Sequence, residues 1–385
     1  MSMSQPTSRA RRRGIPATLL RSTAAVVLAA AVGVTASCSS RSGTEETPSD
    51  SSGAFSVVDQ RGKTVEFDSP IESAAFAVIP APSIFAAVDG SYDRIVGVNQ
   101  STLSANQQGL FSTIFPQSAS SPVVAGPDFV PNVDTLLNLH PDVVIQWGDR
   151  GPDVIDPIEN SGMKVIGLEY GTQEDLETWI TVFSQLLGKE ERGKELVEWQ
   201  QTRRQQIEEK VAGLDKPRPR AMQLSLANDA FTTTSDAGYD GFQYDLVGAD
   251  QVTRGFSSDN QQASVSVEQI LKWDPEVILL SGFDESTPED IYSDPRLSEV
   301  SAVKNKRVYK NPLGAYRWQV PSAESPLYWQ WLNEVLYPDP DTDLRDRMKS
   351  AFSDLYNYDI SDREIDDVLR FDVNTGSADY DQFAS

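Results

Sequence analysis

The chain has 385 residues, enough for two domains with cores of their own. Its formal net charge is −24, and so acidic a surface repels phosphate backbones, which speaks against nucleic acid as a partner. A single cysteine and a single histidine rule out an internal disulfide and a multi-histidine zinc site; they also argue against histidine-ligated haem, although a tyrosine can serve as an axial ligand.

The first 37 residues read as a signal peptide. Arg9, Arg11, Arg12, Arg13 and Arg21 form a basic region without an acid. Ser22 to Ala36 follows as an apolar, alanine-rich stretch, shorter than the ~20 residues that span a bilayer. Cys38, the only cysteine, comes directly after the small residues Ala36 and Ser37. This arrangement resembles the lipobox of bacterial lipoproteins, although Thr35 stands where leucine is usual. The resemblance implies that Cys38 carries lipid and becomes the mature N-terminus. Residues 38–54 are polar and read as a flexible tether.

Folded sequence is expected from Phe55. Ser56 to Phe67 reads as a hairpin around Gln60-Arg61-Gly62-Lys63. Ala74 to Ile79 is a predicted buried strand, stopped by Pro80 and Pro82. A helix over Ile84 to Val88 and a strand over Ile95 to Val98 follow. Asn132 to Asp149, NVDTLLNLHPDVVIQWGD, is then the first copy of a repeated segment. The second copy, Ser266 to Phe283, reads SVEQILKWDPEVILLSGF. Each opens with an N-cap residue, runs a short helix, meets a proline, and continues as an apolar run too short for a helix. That run is the core strand of an α/β unit. Two copies suggest two similar lobes with a cleft between them.

Val165 to Leu168 is the last strand of the first lobe, assigned to residues 55–172. Residues 173–213 are a connecting helical region. Its second half, Glu190 to Val211, would extend about 33 Å at 1.5 Å per residue. It reads as a rigid spine joining the lobes; the alternative is a pair of helices within one lobe. The second lobe, 214–385, has a strand over Arg220 to Leu226, a helix over Tyr239 to Val247 stopped by Gly248, the second repeat copy and a strand over Arg307 to Tyr309. A tryptophan-rich helix, Tyr328 to Leu336, and two short helices between Ser350 and Leu369 complete it. The last ~15 residues read as frayed.

The phrases Asn132-Val133-Asp134, Val265-Ser266-Val267-Glu268 and Ala302 to Tyr309, in this order of elements, resemble the substrate-binding proteins of iron-complex ABC importers. That group includes siderophore, haem and cobalamin binders, and the resemblance covers Ser56 to Leu369. It implies a class III periplasmic-binding-protein-like fold: two Rossmann-like α/β lobes joined by one long helix, with ligand between the lobes. It also implies that Asp134 and Glu268 dock onto arginines of a permease dimer. Asp134 departs from the glutamate usual there, which shortens its reach. The alternative role for both acids is to complement a helix N-terminus. The segments Gly314 to Trp318 and Pro321 to Leu327 resemble a subgroup whose ligands include siderophores, haem and oxyanions such as molybdate.

Ligands of α/β sheets sit beyond the C-terminal ends of the strands. The residues there are Trp147, Asp149 and Arg150, then Glu169 and Tyr170, then Asn228 and Asp229, then Tyr316, Arg317 and Trp318. Trp147, Tyr170 and Trp318 form an aromatic wall or pack within the lobes. Arg150 and Arg317 pair with an anionic chelate or form surface ion pairs. His140 falls in a helix-to-strand turn, away from the strand's C-terminal end. No catalytic signature is present, so carboxylates such as Asp149 or Glu169 support an enzyme only weakly. The expectation is a monomeric lipid-anchored protein on the extracytoplasmic face of the membrane, without a resident cofactor. It captures a ferric siderophore or similar iron chelate for an ABC permease; haem, corrinoid or oxyanion binding is the alternative.

Overall fold

The computed structural model describes residues 53–257 and 262–384. The signal segment, Cys38 and nearly all of the tether lie outside these residues. A hairpin of β1 (Phe55–Val58) and β2 (Thr64–Phe67) opens the fold. It docks beside the first sheet, where Gln60 donates its backbone N–H to Gly167 and the Asp59 carboxylate accepts from the Gly167 N–H.

The first sheet contains β3 (Ala74–Phe76), β4 (Ile95–Asn99), β5 (Val123–Ala125), β6 (Val143–Trp147) and β7 (Val165–Leu168). All are parallel, in the order β5-β4-β3-β6-β7. The chain moves outward from β3 to β5, then crosses over to β6 and β7. The order therefore reverses between β3 and β6, and a crevice opens at their C-terminal ends. The second sheet contains β8 (Arg220–Ala227), β9 (Ala230–Thr233), β10 (Asp250–Gln251), β11 (Ala263–Ser264), β12 (Val277–Leu280) and β13 (Val308–Lys310). Its path is β11-β9-β8-β12-β13, with β10 beside β8. β8, β12 and β13 are parallel, and β9 runs antiparallel to β8. The continuous apolar runs of β6, β7 and β12 are buried along their whole length, as expected of strands covered on both faces.

The repeated segments fold alike. Helices Val133–Leu139 and Val267–Trp273 are capped by Asn132 and Ser266, whose side chains accept from Thr135 N at 3.0 Å and Gln269 N at 3.2 Å. Left-handed residues, His140 (φ 50°) and Asp274 (φ 44°), end both helices just before the prolines. Histidine and aspartate tolerate that conformation better than most residues. His140 is exposed in its turn.

The connecting region is two helices. Gln173–Leu187 packs on the first lobe, and Gly188 (φ 65°) reverses the chain into Glu190–Ala212. The second helix is the spine: it lies against the first and reaches the tryptophan-rich helix Ser325–Leu336, where Gln200 Nε2 donates to Ala323 O at 3.1 Å.

The C-terminal end departs from expectation, because it is packed. Tyr380 is 1% exposed and Phe383 is fully buried. Tyr380 receives the Trp331 indole N–H at 3.1 Å and donates to Leu369 O at 2.5 Å. Helix Leu344–Tyr356 reaches back to the first lobe, where Tyr356 meets the rings of Phe111 and Phe115.

Candidate ligand-binding site

On the first lobe the site is built on Gln146, a fully buried side chain at the end of β6. Its Nε2 donates to Phe129 O and Val154 O, both at 3.0 Å, and its Oε1 accepts from Trp147 N at 2.8 Å. Phe129 is thereby held at φ 66°, a strained conformation for an aromatic residue. Its ring meets Trp147 edge-on at 5.9 Å, and Trp147 meets Tyr170 at the same distance. The Arg150 guanidinium stacks over Phe129 at 4.4 Å and over Trp147 at 5.0 Å. Arg150 is exposed and forms no ion pair among the described residues. Asn99 joins the neighbouring strand ends: its Nδ2 donates to Ala77 O and Gly126 O, and its Oδ1 caps the next helix.

The second lobe repeats the arginine-on-aromatic arrangement. Arg317, 6% exposed, donates from Nε to Gly282 O at 2.5 Å and from Nη1 to the Tyr316 hydroxyl at 3.1 Å. Its guanidinium lies 4.5 Å over Phe283 and 5.3 Å over Tyr316. Gly282 makes room for Gln319 beside Arg317, since a Cβ there would stand 2.9 Å from the Gln319 side chain. Burial pushes the Tyr316 hydroxyl up to about 12.

The two halves face one another. Burial raises Tyr170 well above its ordinary value, reinforced by Asp240, Tyr239 and Tyr316 of the second lobe and opposed by Arg150 of its own. Asp240, at the start of helix Tyr239–Leu246, is pushed up to about 6 by burial, with the nearby Thr234 acting in the opposite direction. At the cleft floor the Tyr239 hydroxyl donates to Gln173 Oε1 at 2.9 Å. Between helix Gln100–Gln108 of the first lobe and the loops after β12 and β13 lies a cavity of about 530 Å³ that includes Arg317. Among the described residues no group of three His, Cys, Asp or Glu side chains converges to hold a bare metal ion.

Trp147, Arg150, Tyr170, Tyr316 and Arg317 are thus brought together, and Trp318 is not. Trp318 is fully buried in the second lobe and donates its indole N–H to Glu324 Oε2 at 2.5 Å. Glu324 also accepts from Ala315 N at 2.9 Å and from the Tyr356 hydroxyl at 2.7 Å, fixing the loop with Trp318 turned inward. Trp147 is itself 2% exposed. It is the base on which Phe129, Tyr170 and Arg150 stand. Asn228 and Asp229 also leave the site. They are the left-handed pair (φ 50° and 61°) of the tight β8–β9 turn, a type that favours such residues. Asp149 and Glu169 are exposed, and the Glu169 backbone N–H donates to Gln60 Oε1. Phe129, Gln146 and Asp240 escaped the sequence reading. The Gly126-Pro127 turn directly after β5 was the available signal for Phe129.

Asp134 and Glu268 occupy equivalent exposed positions in the first turns of their helices. The backbone N–H of Glu268 and the Ser266 hydroxyl hold the Glu268 carboxyl below its usual range. Three residues on, the matched leucines Leu137 and Leu271 are 42% and 37% exposed.

Residues 83–312 match the protein family described as periplasmic binding protein. This chain belongs to that family. It is a substrate-binding protein of an ABC importer, a class that works outside the cytoplasm. A periplasmic solute-binding protein of Veillonella parvula is 30% identical, with a TM-score of 0.76 over 84% of this chain and 99% of that one. The molybdate-binding protein MolA of Haemophilus influenzae is 25% identical over 58% of this chain and 70% of its own. Its molybdate-bound structure superposes with a TM-score of 0.70 over 80% of this chain and 99% of that one, at 22% identity. The Fe(3+)-citrate-binding protein YfmC of Bacillus subtilis is 28% identical over 46% of this chain and 56% of its own.

Proposed function

We propose that this binding protein captures an anionic ferric chelate between its lobes and delivers it to an ABC permease dimer, from a lipid anchor at Cys38 on the extracytoplasmic face of the membrane. The observation that carries the reading is the pair Arg150 and Arg317. They stand on opposite lobes, each stacked on aromatic rings, and neither forms an ion pair among the described residues. Unpaired guanidinium groups in a cleft offer planar, bidentate donors to carboxylate or catecholate oxygens. The cavity of about 530 Å³ beside Arg317 falls in the range of sites for small organic ligands, roughly 300–1,000 Å³.

A fluorescence titration tests this. Trp147 lies directly beneath Arg150 and Tyr170, so a coloured iron complex bound against them should quench its emission. A panel of ferric citrate, catecholates and hydroxamates should include a quenching ligand. Quenching by none of them, with haem or molybdate bound instead, would contradict the chelate. Oxyanion binding is the second reading, favoured by the similarity to MolA.

Delivery is ascribed to Asp134 and Glu268. Each lobe offers one exposed acid and, a turn later, one exposed leucine, Leu137 or Leu271. Two matched patches suit a permease made of two equivalent halves.

A further inference from the structure

The cavity beside Arg317 has a second arginine on its wall. Arg370 comes from the C-terminal tail, beyond the part of the chain that matches the family. Its backbone is left-handed, at φ 53°. The tail around it is stitched to the strand-end loop: Leu313 N donates to Val368 O at 2.9 Å, Lys310 N to Asn374 Oδ1 at 2.7 Å, and Asn374 Nδ2 to Lys310 O at 3.1 Å. Asn374 is fully buried, so Arg370 stands on a fixed base.

The cationic groups here are used differently. Lys310 is committed to the fold, its Nζ donating to Ser281 O at 2.6 Å and Asp284 O at 2.7 Å. Arg370 makes no ion pair among the described residues, although Glu285 and Asp372 lie on the same wall. Burial and the nearby Arg317 both disfavour its charge, while Asp372 and Glu285 only partly support it. Asn311 lines the same cavity; it is 1% exposed, and its Nδ2 has no partner. Its Oδ1 already accepts from the Tyr328 hydroxyl at 3.1 Å, which fixes the amide so that Nδ2 is left to donate. Gln108 of the first lobe lines the same cavity. The Arg370 guanidinium and the Asn311 amide N–H are donors without acceptors, and Arg317 keeps Nη2 beyond its bonds to Gly282 O and the Tyr316 hydroxyl; an oxyanionic group in the cavity satisfies them.

We infer that Arg370, with Arg317 and Asn311, forms a subsite for an oxyanionic group of the ligand, so that the C-terminal tail completes the binding site. The inference rests on the anionic-ligand reading above. The group is either a carboxylate carried by a metal chelate or a free oxyanion.

Isothermal titration of the full mature protein distinguishes these. The probes are ferric citrate, molybdate and a neutral ferric trihydroxamate, applied to wild type, Arg370→Ala and Arg370→Lys. Arg370→Ala should bind the anionic probe at least roughly tenfold more weakly, with Arg370→Lys intermediate because lysine cannot bind bidentately. Loss for ferric citrate assigns a chelate carboxylate; loss for molybdate assigns a free oxyanion. Unchanged affinity of Arg370→Ala for whichever anion wild type binds overturns the subsite and leaves the cleft reading standing. An equal loss for the neutral trihydroxamate also overturns it, since the tail would then act only on the fold. A wild type that binds the neutral probe alone overturns both.

Discussion

At the scale of single residues, Glu324 and Asp240 show how burial directs chemistry. Glu324 is fully buried and accepts from a backbone N–H, an indole and a phenol. Removing it leaves three donors unsatisfied. Glu324→Ala should cost about 2–4 kcal/mol, measured by urea denaturation, and Glu324→Gln less. Asp240 is raised to about 6 by burial. A carboxyl raised in the folded state contributes stability that is present below its ordinary value and lost as pH rises through the folded one. Its negative form also opposes an anion in the same cleft. Affinity for an anionic ligand should therefore rise as pH falls from 7 to 5. Tyr170, Tyr239, Tyr244 and Tyr328 stay neutral in that window, burial having raised each of them. Asp240→Asn should bind more tightly at pH 7 and lose the dependence; a slope unchanged in Asp240→Asn would assign it to another group. Arg150 was legible in the sequence because it lies just past the apolar run of β6, and Arg317 because it lies in the loop that follows the strand β13. The burial of Trp318 was not, because it depends on Glu324 and on Tyr356 of a later helix.

At the scale of elements, local signals carried furthest. The caps at Asn132 and Ser266 and the buried runs of β6, β7 and β12 follow from short-range physics. The connecting region was partly legible: Gly188 breaks what could have been one helix, and its left-handed φ of 65° is the reason. The C-terminal tail was not legible. Its polar composition suggests fraying, yet a few aromatic anchors bury it against helix Ser325–Leu336. Tyr380→Ala and Phe383→Ala should therefore each destabilise the fold by about 3–5 kcal/mol, as for other buried aromatic truncations. Thermal denaturation checks this, and a change under ~0.5 kcal/mol would restore the frayed tail.

At the scale of the whole molecule, the lobes are joined by more than the spine. Helix Leu344–Tyr356 touches the first lobe, and one hydrophobic core cluster includes Phe76 and Phe183 of the first half together with Trp331 and Phe352 of the second. So continuous a core resists wide opening, and ligand binding should change the radius of gyration in solution scattering only slightly. Delivery then depends on the outer surface. Asp134→Arg and Glu268→Arg should abolish uptake in cells while leaving ligand affinity nearly unchanged. Loss of binding as the main defect would remove both acids from the docking role.

The central claim is that one ligand is held by arginines of both lobes. A double-mutant cycle on Arg150→Ala and Arg317→Ala, read as the dissociation constant of the ligand that the titration panel identifies, tests it most directly. Each single change should weaken binding at least roughly tenfold, and the double change should cost less than the sum of the two, because both groups act on one ligand. Affinity unchanged in either single variant would contradict the account.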